Sequence, residues 1–118
     1  MVVSKPSGGF SDKRGRLVEV VNTGRWGQVG VVRSKKNVRW GGHYHRLTTE
    51  VFYIIKGKVR FETKRLPHGK VIRRTVGLGS KVTIKPQTLH WLITLEPTVW
   101  VSVLSRAFRP QATDIYNP

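Results

Sequence analysis

The chain of 118 residues contains no cysteine. That excludes a disulfide framework, a cysteine-ligated zinc finger and a cysteine nucleophile, so any metal would rest on histidine and carboxylate. Acidic side chains are scarce, six against 22 Lys and Arg. Nothing approaches the roughly 20 consecutive apolar residues of a membrane-spanning helix. The opening MVVSKPSGGF lacks the apolar stretch of a signal peptide, so a cytoplasmic setting with no membrane partner is expected. Helical periodicity is missing too: no segment sustains apolar residues at i, i+3, i+4 and i+7 over the roughly ten positions a helix needs.

What is present is enough for a core. Apolar residues make up 38%, including four Trp, four Phe and three Tyr, which excludes a disordered basic tail. The length fits a single domain. The net charge of +16 points first to a polyanion, meaning nucleic acid, an anionic membrane or a phosphorylated small molecule. Basic residues are spread along nearly the whole chain, so a general solubility role stands beside that reading.

The apolar residues come in short runs rich in Val, Ile and Thr, at residues 17–21, 28–32, 51–55, 59–63, 71–76, 82–84, 91–95 and 99–104. Runs of this length, separated by Gly, Pro and basic clusters, predict about eight or more antiparallel strands in an all-β sandwich or barrel. Lys56-Gly57 between two of the runs is a tight hairpin signal. Residues 1–10, with Pro6, Gly8 and Gly9, read as a flexible N-terminal arm. Residues 11–108 read as the domain, and 109–118 as a C-terminal extension that Pro110 keeps from continuing a strand.

Chemistry concentrates on four side chains. His43 and His45 stand at i and i+2, so on a strand both imidazoles face one side and reach a common ion. Glu50 leads an apolar run, where an unpaired charge is costly to bury. His90 enters another run after Lys85-Pro86-Gln87-Thr88-Leu89. Three neutral imidazoles and a carboxylate suit a divalent ion such as zinc, iron, nickel or manganese. His68 falls in a turn and is given no role.

The arrangement His43-Tyr44-His45, four residues, Glu50, six residues, Gly57 resembles the first cupin motif, and Gly79, Pro86 and His90 resemble the second. The resemblance spans about residues 14–108 and implies a cupin double-stranded β-helix, a jelly-roll barrel with His43, His45, Glu50 and His90 as metal ligands. Asp12 to Glu19, Gly27-Gln28-Val29 and Gly41 to Tyr44 resemble the nucleotide-sugar cupins. In the dTDP-4-keto-6-deoxyhexose 3,5-epimerases, residues matching Arg14, Glu19 and Gln28 help bind the nucleotide sugar across a homodimer interface, and the histidine matching His43 is the catalytic base. The segments around His90 and Thr113-Asp114-Ile115-Tyr116 are similar to the sugar 3,4-ketoisomerases and to the cupin domain of capsular-polysaccharide reductase-epimerases. Glu50 stands where the metal-free epimerases carry lysine, which directs the resemblance to the metal-bearing capsular type. The epimerases' tyrosine acid falls near Val103, and Trp40 replaces a substrate-binding arginine.

On these grounds the chain is expected to be an enzyme that epimerises or isomerises a nucleotide-linked 4-keto-6-deoxy sugar through a metal-stabilised enolate. Arg39 and Trp91, neighbours of the motif histidines, are expected to help bind that substrate. Two alternatives stay open: another metal cupin, either an iron dioxygenase or a small-ligand binder, and a nucleic-acid or polyanion-binding module, the reading least favoured by a concave metal site.

Overall fold

The computed structural model describes residues 1–111 and 113–118. Its eleven strands run β1 (Val2–Ser4), β2 (Gly9–Asp12), β3 (Gly15–Val18), β4 (Gln28–Ser34), β5 (Arg39–His43), β6 (Glu50–Lys56), β7 (Lys58–Arg65), β8 (Val71–Gly77), β9 (Lys81–Ile84), β10 (Thr88–Thr94) and β11 (Thr98–Leu104). A five-stranded sheet, ordered β1-β9-β6-β11-β4, faces a four-stranded sheet, ordered β5-β10-β7-β8, and every pairing is antiparallel. This is the expected jelly-roll barrel. No helix among the described residues is long and apolar enough to cross a membrane.

Alternation along the strands builds the interior. β6 and β11 send in Phe52, Ile54 and Trp100, while β7 and β10 send in Val59, Phe61 and Leu92, all buried in one cluster. The Phe52 and Phe61 rings meet edge to face across the two sheets, with centroids 5.2 Å apart. Gly57 turns the chain between β6 and β7, but the anticipated hairpin does not form: β6 pairs with β9 and β11 in one sheet and β7 with β8 and β10 in the other, so the turn crosses between the two layers.

Three departures from the sequence reading bear on the site. The N-terminal arm is not loose throughout: Val2–Ser4 pairs with β9, because Met1 and Val3 have core residues to pack against. Residues 17–21 do not form one strand, since β3 ends at Val18 in a two-stranded ribbon with β2. Beyond Leu104 the chain turns back, and Tyr116 forms an isolated antiparallel bridge with Tyr44 beside the proposed ligands.

β5 is the unforeseen strand that carries chemistry. It pairs with β10, and the register shifts between His90 and Trp91 so that His43 lies opposite His90. Gly41 and Gly42 occupy this irregularity at φ of +85° and +82°. Such a backbone suits glycine, and a Cβ on Gly41 would come within 2.6 Å of the His90 carbonyl oxygen.

Candidate metal centre

Four elements bring the motif residues together. His43 ends β5, His45 lies in the following loop, Glu50 opens β6 and His90 sits in β10. Each of the three histidines offers a ring nitrogen within 4.8 Å of the other two. Glu50 Oε1 lies 3.2 Å from His45 Nε2 and 3.7 Å from His90 Nε2. Bonds of about 2.0–2.2 Å to a shared ion place neighbouring ligand atoms roughly 3 to 3.5 Å apart, close to these spacings.

The surroundings fix which nitrogens face the centre. His45 Nδ1 donates to the Asp114 carbonyl at 2.7 Å, and His90 Nδ1 donates to the Thr88 carbonyl at 3.0 Å. A backbone carbonyl can only accept, so both Nδ1 atoms carry hydrogen, and in the neutral rings both Nε2 atoms turn lone pairs toward Glu50. Ser102 donates its hydroxyl to Glu50 Oε2 at 2.6 Å, a charge-assisted contact that keeps the carboxylate aimed inward. Two lone pairs and an anionic oxygen converging in a buried site repel one another, and either a proton on His45 or a cation between them relieves that repulsion. The donor set therefore fits a divalent ion.

Electrostatics are consistent with that arrangement. Burial alone would raise the Glu50 carboxyl, but the approach of His45, His90 and Ser102 outweighs it and holds the group down at about 2. Burial, reinforced by His90 and His45, lowers His43 to about 4, so its ring is neutral at pH 7. Burial also opposes charge on His45, yet contacts with Glu50 and with Asp114 overcome it and raise that ring.

His43, Glu50 and His90 open into a cavity of about 130 Å³. Its walls are mostly apolar, with Val32, Trp40, Phe52, Leu92 and Trp100. Trp40 meets Trp100 edge to face at 5.7 Å and donates its indole N–H to Ser34 Oγ at 2.8 Å, which locks that wall.

The five residues expected to bind substrate lie elsewhere in the chain. Trp91 stands on the face of β10 opposite His90 and Leu92, with the Arg39 guanidinium 5.3 Å from its ring centre. Adjacency in sequence to a ligand is thus what turns Trp91 out of the cavity. Arg14 lies at the tip of the β2–β3 ribbon, paired with Asp12 at 2.7 Å. Glu19 accepts from Asn22 at 3.1 Å, and Gln28 Oε1 accepts the Phe108 amide at 2.7 Å. Sequence reasoning missed Ser102 and the supporting carbonyls of Thr88 and Asp114. A serine at an inward position between Trp100 and Leu104 was a usable signal, whereas a backbone acceptor leaves none.

A two-sheet antiparallel barrel with three histidines and a glutamate gathered at an internal cavity defines a cupin. Residues 10–116 match the polysaccharide biosynthesis C-terminal domain, and the chain belongs to that family. Over 59 residues it is 41% identical to a UDP-2-acetamido-2,6-beta-L-arabino-hexul-4-ose reductase of Pseudomonas aeruginosa, a match covering 50% of this chain and 16% of the reductase. The capsular polysaccharide assembling protein CapF of Staphylococcus aureus superposes with a TM-score of 0.73 at 27% identity, over 97% of this chain and 34% of CapF. A dTDP-4-dehydrorhamnose 3,5-epimerase of Sulfolobus tokodaii shares the fold, with a TM-score of 0.78 at 21% identity, over 92% of this chain and 72% of the epimerase. The chain thus spans about a third of CapF and a smaller part of the reductase.

Proposed function

We propose that this chain is a metal-dependent cupin enzyme that epimerises or isomerises a nucleotide-linked 4-keto-6-deoxy sugar. The observation that carries the reading is the convergence of His45 Nε2, His90 Nε2 and Glu50 Oε1 beside an apolar cavity, in a chain of the polysaccharide biosynthesis family. Zinc, iron, nickel or manganese suits the donor set. A divalent ion would be held by His45, Glu50 and His90, with His43 as a fourth ligand at rest, and would supply a Lewis acid for the oxyanion that develops when a proton leaves the carbon beside a ketone.

The chain's own residues do the rest. Ser102 keeps Glu50 ionised and oriented, and the Thr88 and Asp114 carbonyls commit His90 and His45 to their Nε2 atoms. His43 has no such tie among the described residues and is neutral at pH 7. In this reading it is the fourth ligand of the resting protein and the base beside the sugar once substrate fills the cavity. Epimerisation at carbon 3 and tautomerisation to the 3-keto isomer share that proton removal. A cavity of about 130 Å³ is small beside the roughly 300–1,000 Å³ of sites that swallow whole ligands, so only the reacting part of the sugar enters. The nucleotide then lies outside the mouth, where arginines such as Arg14 from a second protomer would meet its phosphates. A nucleotide-sugar substrate supports a cytoplasmic setting for the proposed reaction.

A homodimer fits the exposed edge strand β4, whose Val29 and Val31 are 66% and 60% exposed. Light scattering that returns a monomer removes the cross-protomer role of Arg14, Glu19 and Gln28. The functional test is incubation of metal-loaded protein in deuterated water with dTDP- and UDP-linked 4-keto-6-deoxy sugars. Deuterium at carbon 3 is the expected result. A panel without any incorporation overturns the sugar reading and leaves the other metal cupins, oxygenase or ligand binder, in its place. Elemental analysis after reconstitution tests the ion separately: no bound metal, with His43→Ala indistinguishable from the unaltered protein, removes the metal from the account.

A further inference from the structure

The loop between β5 and β6 carries His45, and five consecutive residues of it are bound by two residues of the C-terminal segment. Tyr44 exchanges backbone hydrogen bonds with Tyr116 in both directions, each 3.0 Å long. The His45 ring donates to the Asp114 carbonyl. The Arg46 and Leu47 amides donate to the two Asp114 carboxylate oxygens at 3.0 and 2.8 Å, and the Thr48 hydroxyl adds a third bond at 2.8 Å. Above them the Arg46 guanidinium lies 4.1 Å from the centre of the Tyr116 ring.

We propose that Asp114 is a positioning residue for metal binding: its carboxylate grips the loop at Arg46, Leu47 and Thr48 while its carbonyl holds the His45 ring with Nε2 facing Glu50. One residue thereby fixes both the backbone that carries a ligand and the orientation of that ligand. The loop has other supports, since the Gln87 amide donates to the His45 carbonyl at 2.7 Å and the Thr49 amide donates to Ser105 Oγ at 2.9 Å. Loss of Asp114 therefore leaves the loop on the barrel. The substitution keeps the Asp114 carbonyl but removes the carboxylate clamp that sets where that carbonyl stands against the His45 ring, so the direction of the imidazole loosens, and supporting contacts of this kind typically change metal affinity 10- to 100-fold.

The inference rests on the metal reading, and its test separates the two. Zinc affinity is measured by competition with a chromophoric chelator in the unaltered protein, Asp114→Ala and Asp114→Asn, with cobalt spectra recorded on each. Asp114→Ala is expected to bind zinc roughly 10- to 100-fold more weakly and to alter the cobalt ligand-field bands. Asp114→Asn, which keeps one acceptor for the loop amides, is expected to recover part of both. Amide hydrogen exchange at Arg46 and Leu47, measured without metal, reports the clamp itself and is expected to speed up in Asp114→Ala. Unchanged zinc affinity and cobalt bands in an Asp114→Ala protein of unaltered far-UV circular dichroism overturn the proposal. No metal uptake by the unaltered protein overturns the metal reading, and amide protection at Arg46 and Leu47 then shows that the clamp exists without that purpose.

Discussion

Replacing Gly41 with alanine tests whether the irregular β5–β10 pairing builds the site. The position has φ of +85°, and the new Cβ would lie 2.6 Å from the His90 carbonyl oxygen. Left-handed backbone costs an alanine about 1–2 kcal/mol. Crowding that backbone oxygen adds about 1–3 kcal/mol, since β5 must shift and cannot simply rotate a side chain away. The sum is about 2–5 kcal/mol, and at roughly 3–5 °C per kcal/mol for a domain of this size the midpoint falls by roughly 6–25 °C. Gly79 supplies the control. Its φ is +84°, yet nothing lies within 4 Å of its Cβ position. Gly79→Ala therefore carries only the backbone term, about 1–2 kcal/mol. Thermal denaturation followed by circular dichroism compares the two, and zinc titration reports whether His43 has moved from its place opposite His90. Equal midpoints for Gly41→Ala and Gly79→Ala, with equal zinc affinity, refute the reasoning.

Three further outcomes follow from the site. Ser102→Ala leaves Glu50 Oε2 without its hydroxyl donor, and a loss of about 1.5–3 kcal/mol is expected in denaturant unfolding of the metal-free protein. Acidification has a signature from His43, whose folded pKa of about 4 lies below the ordinary imidazole value of 6.5. The unfolded chain binds the extra proton in that window, so stability of the metal-free protein falls as pH drops from about 6.5 to about 4. His45, raised in the fold, acts in the opposite sense but above that window, and Glu50 acts below it, so His43→Gln is expected to flatten the slope of midpoint against pH between the two values. Finally, zinc at 100 times its dissociation constant should stabilise the fold by about 2.7 kcal/mol, and a chelator should reverse the shift, as read by calorimetry.

Much of this was legible because side-chain alternation writes itself into sequence. Val59, Phe61 and Thr63 are all buried, and the polar residues that alternate with them, Lys58, Arg60, Glu62 and Lys64, are more exposed. The spacing of His43, His45 and Glu50 pointed to a shared centre, and the three do converge with His90. β5 escaped notice because Arg39-Trp40-Gly41-Gly42-His43 has no β-branched residue: its extended form comes from pairing with its sheet neighbour β10, distant in sequence. β1 is only three residues long and owes its place to β9. Arg39 and Trp91, chosen for their nearness along the chain to the motif histidines, lie against each other outside the cavity. On a strand, the next residue points the other way.

The ligands are divided between the two layers of the barrel. His43 and His90 belong to the four-stranded sheet, Glu50 to the five-stranded one, and His45 to the loop that passes between them. Apart from that loop, the other chain connections and side-chain hydrogen bonds such as that from Trp40 to Ser34, the layers are joined here by packed side chains, which slide and part more readily than bonds. An ion held by all four residues, as proposed, would act as a rivet at the end of the barrel where the cavity lies. Widening the mouth enough to admit a ligand and loosening the ion would then become one motion, so that occupancy of the centre would set how far the two sheets can breathe.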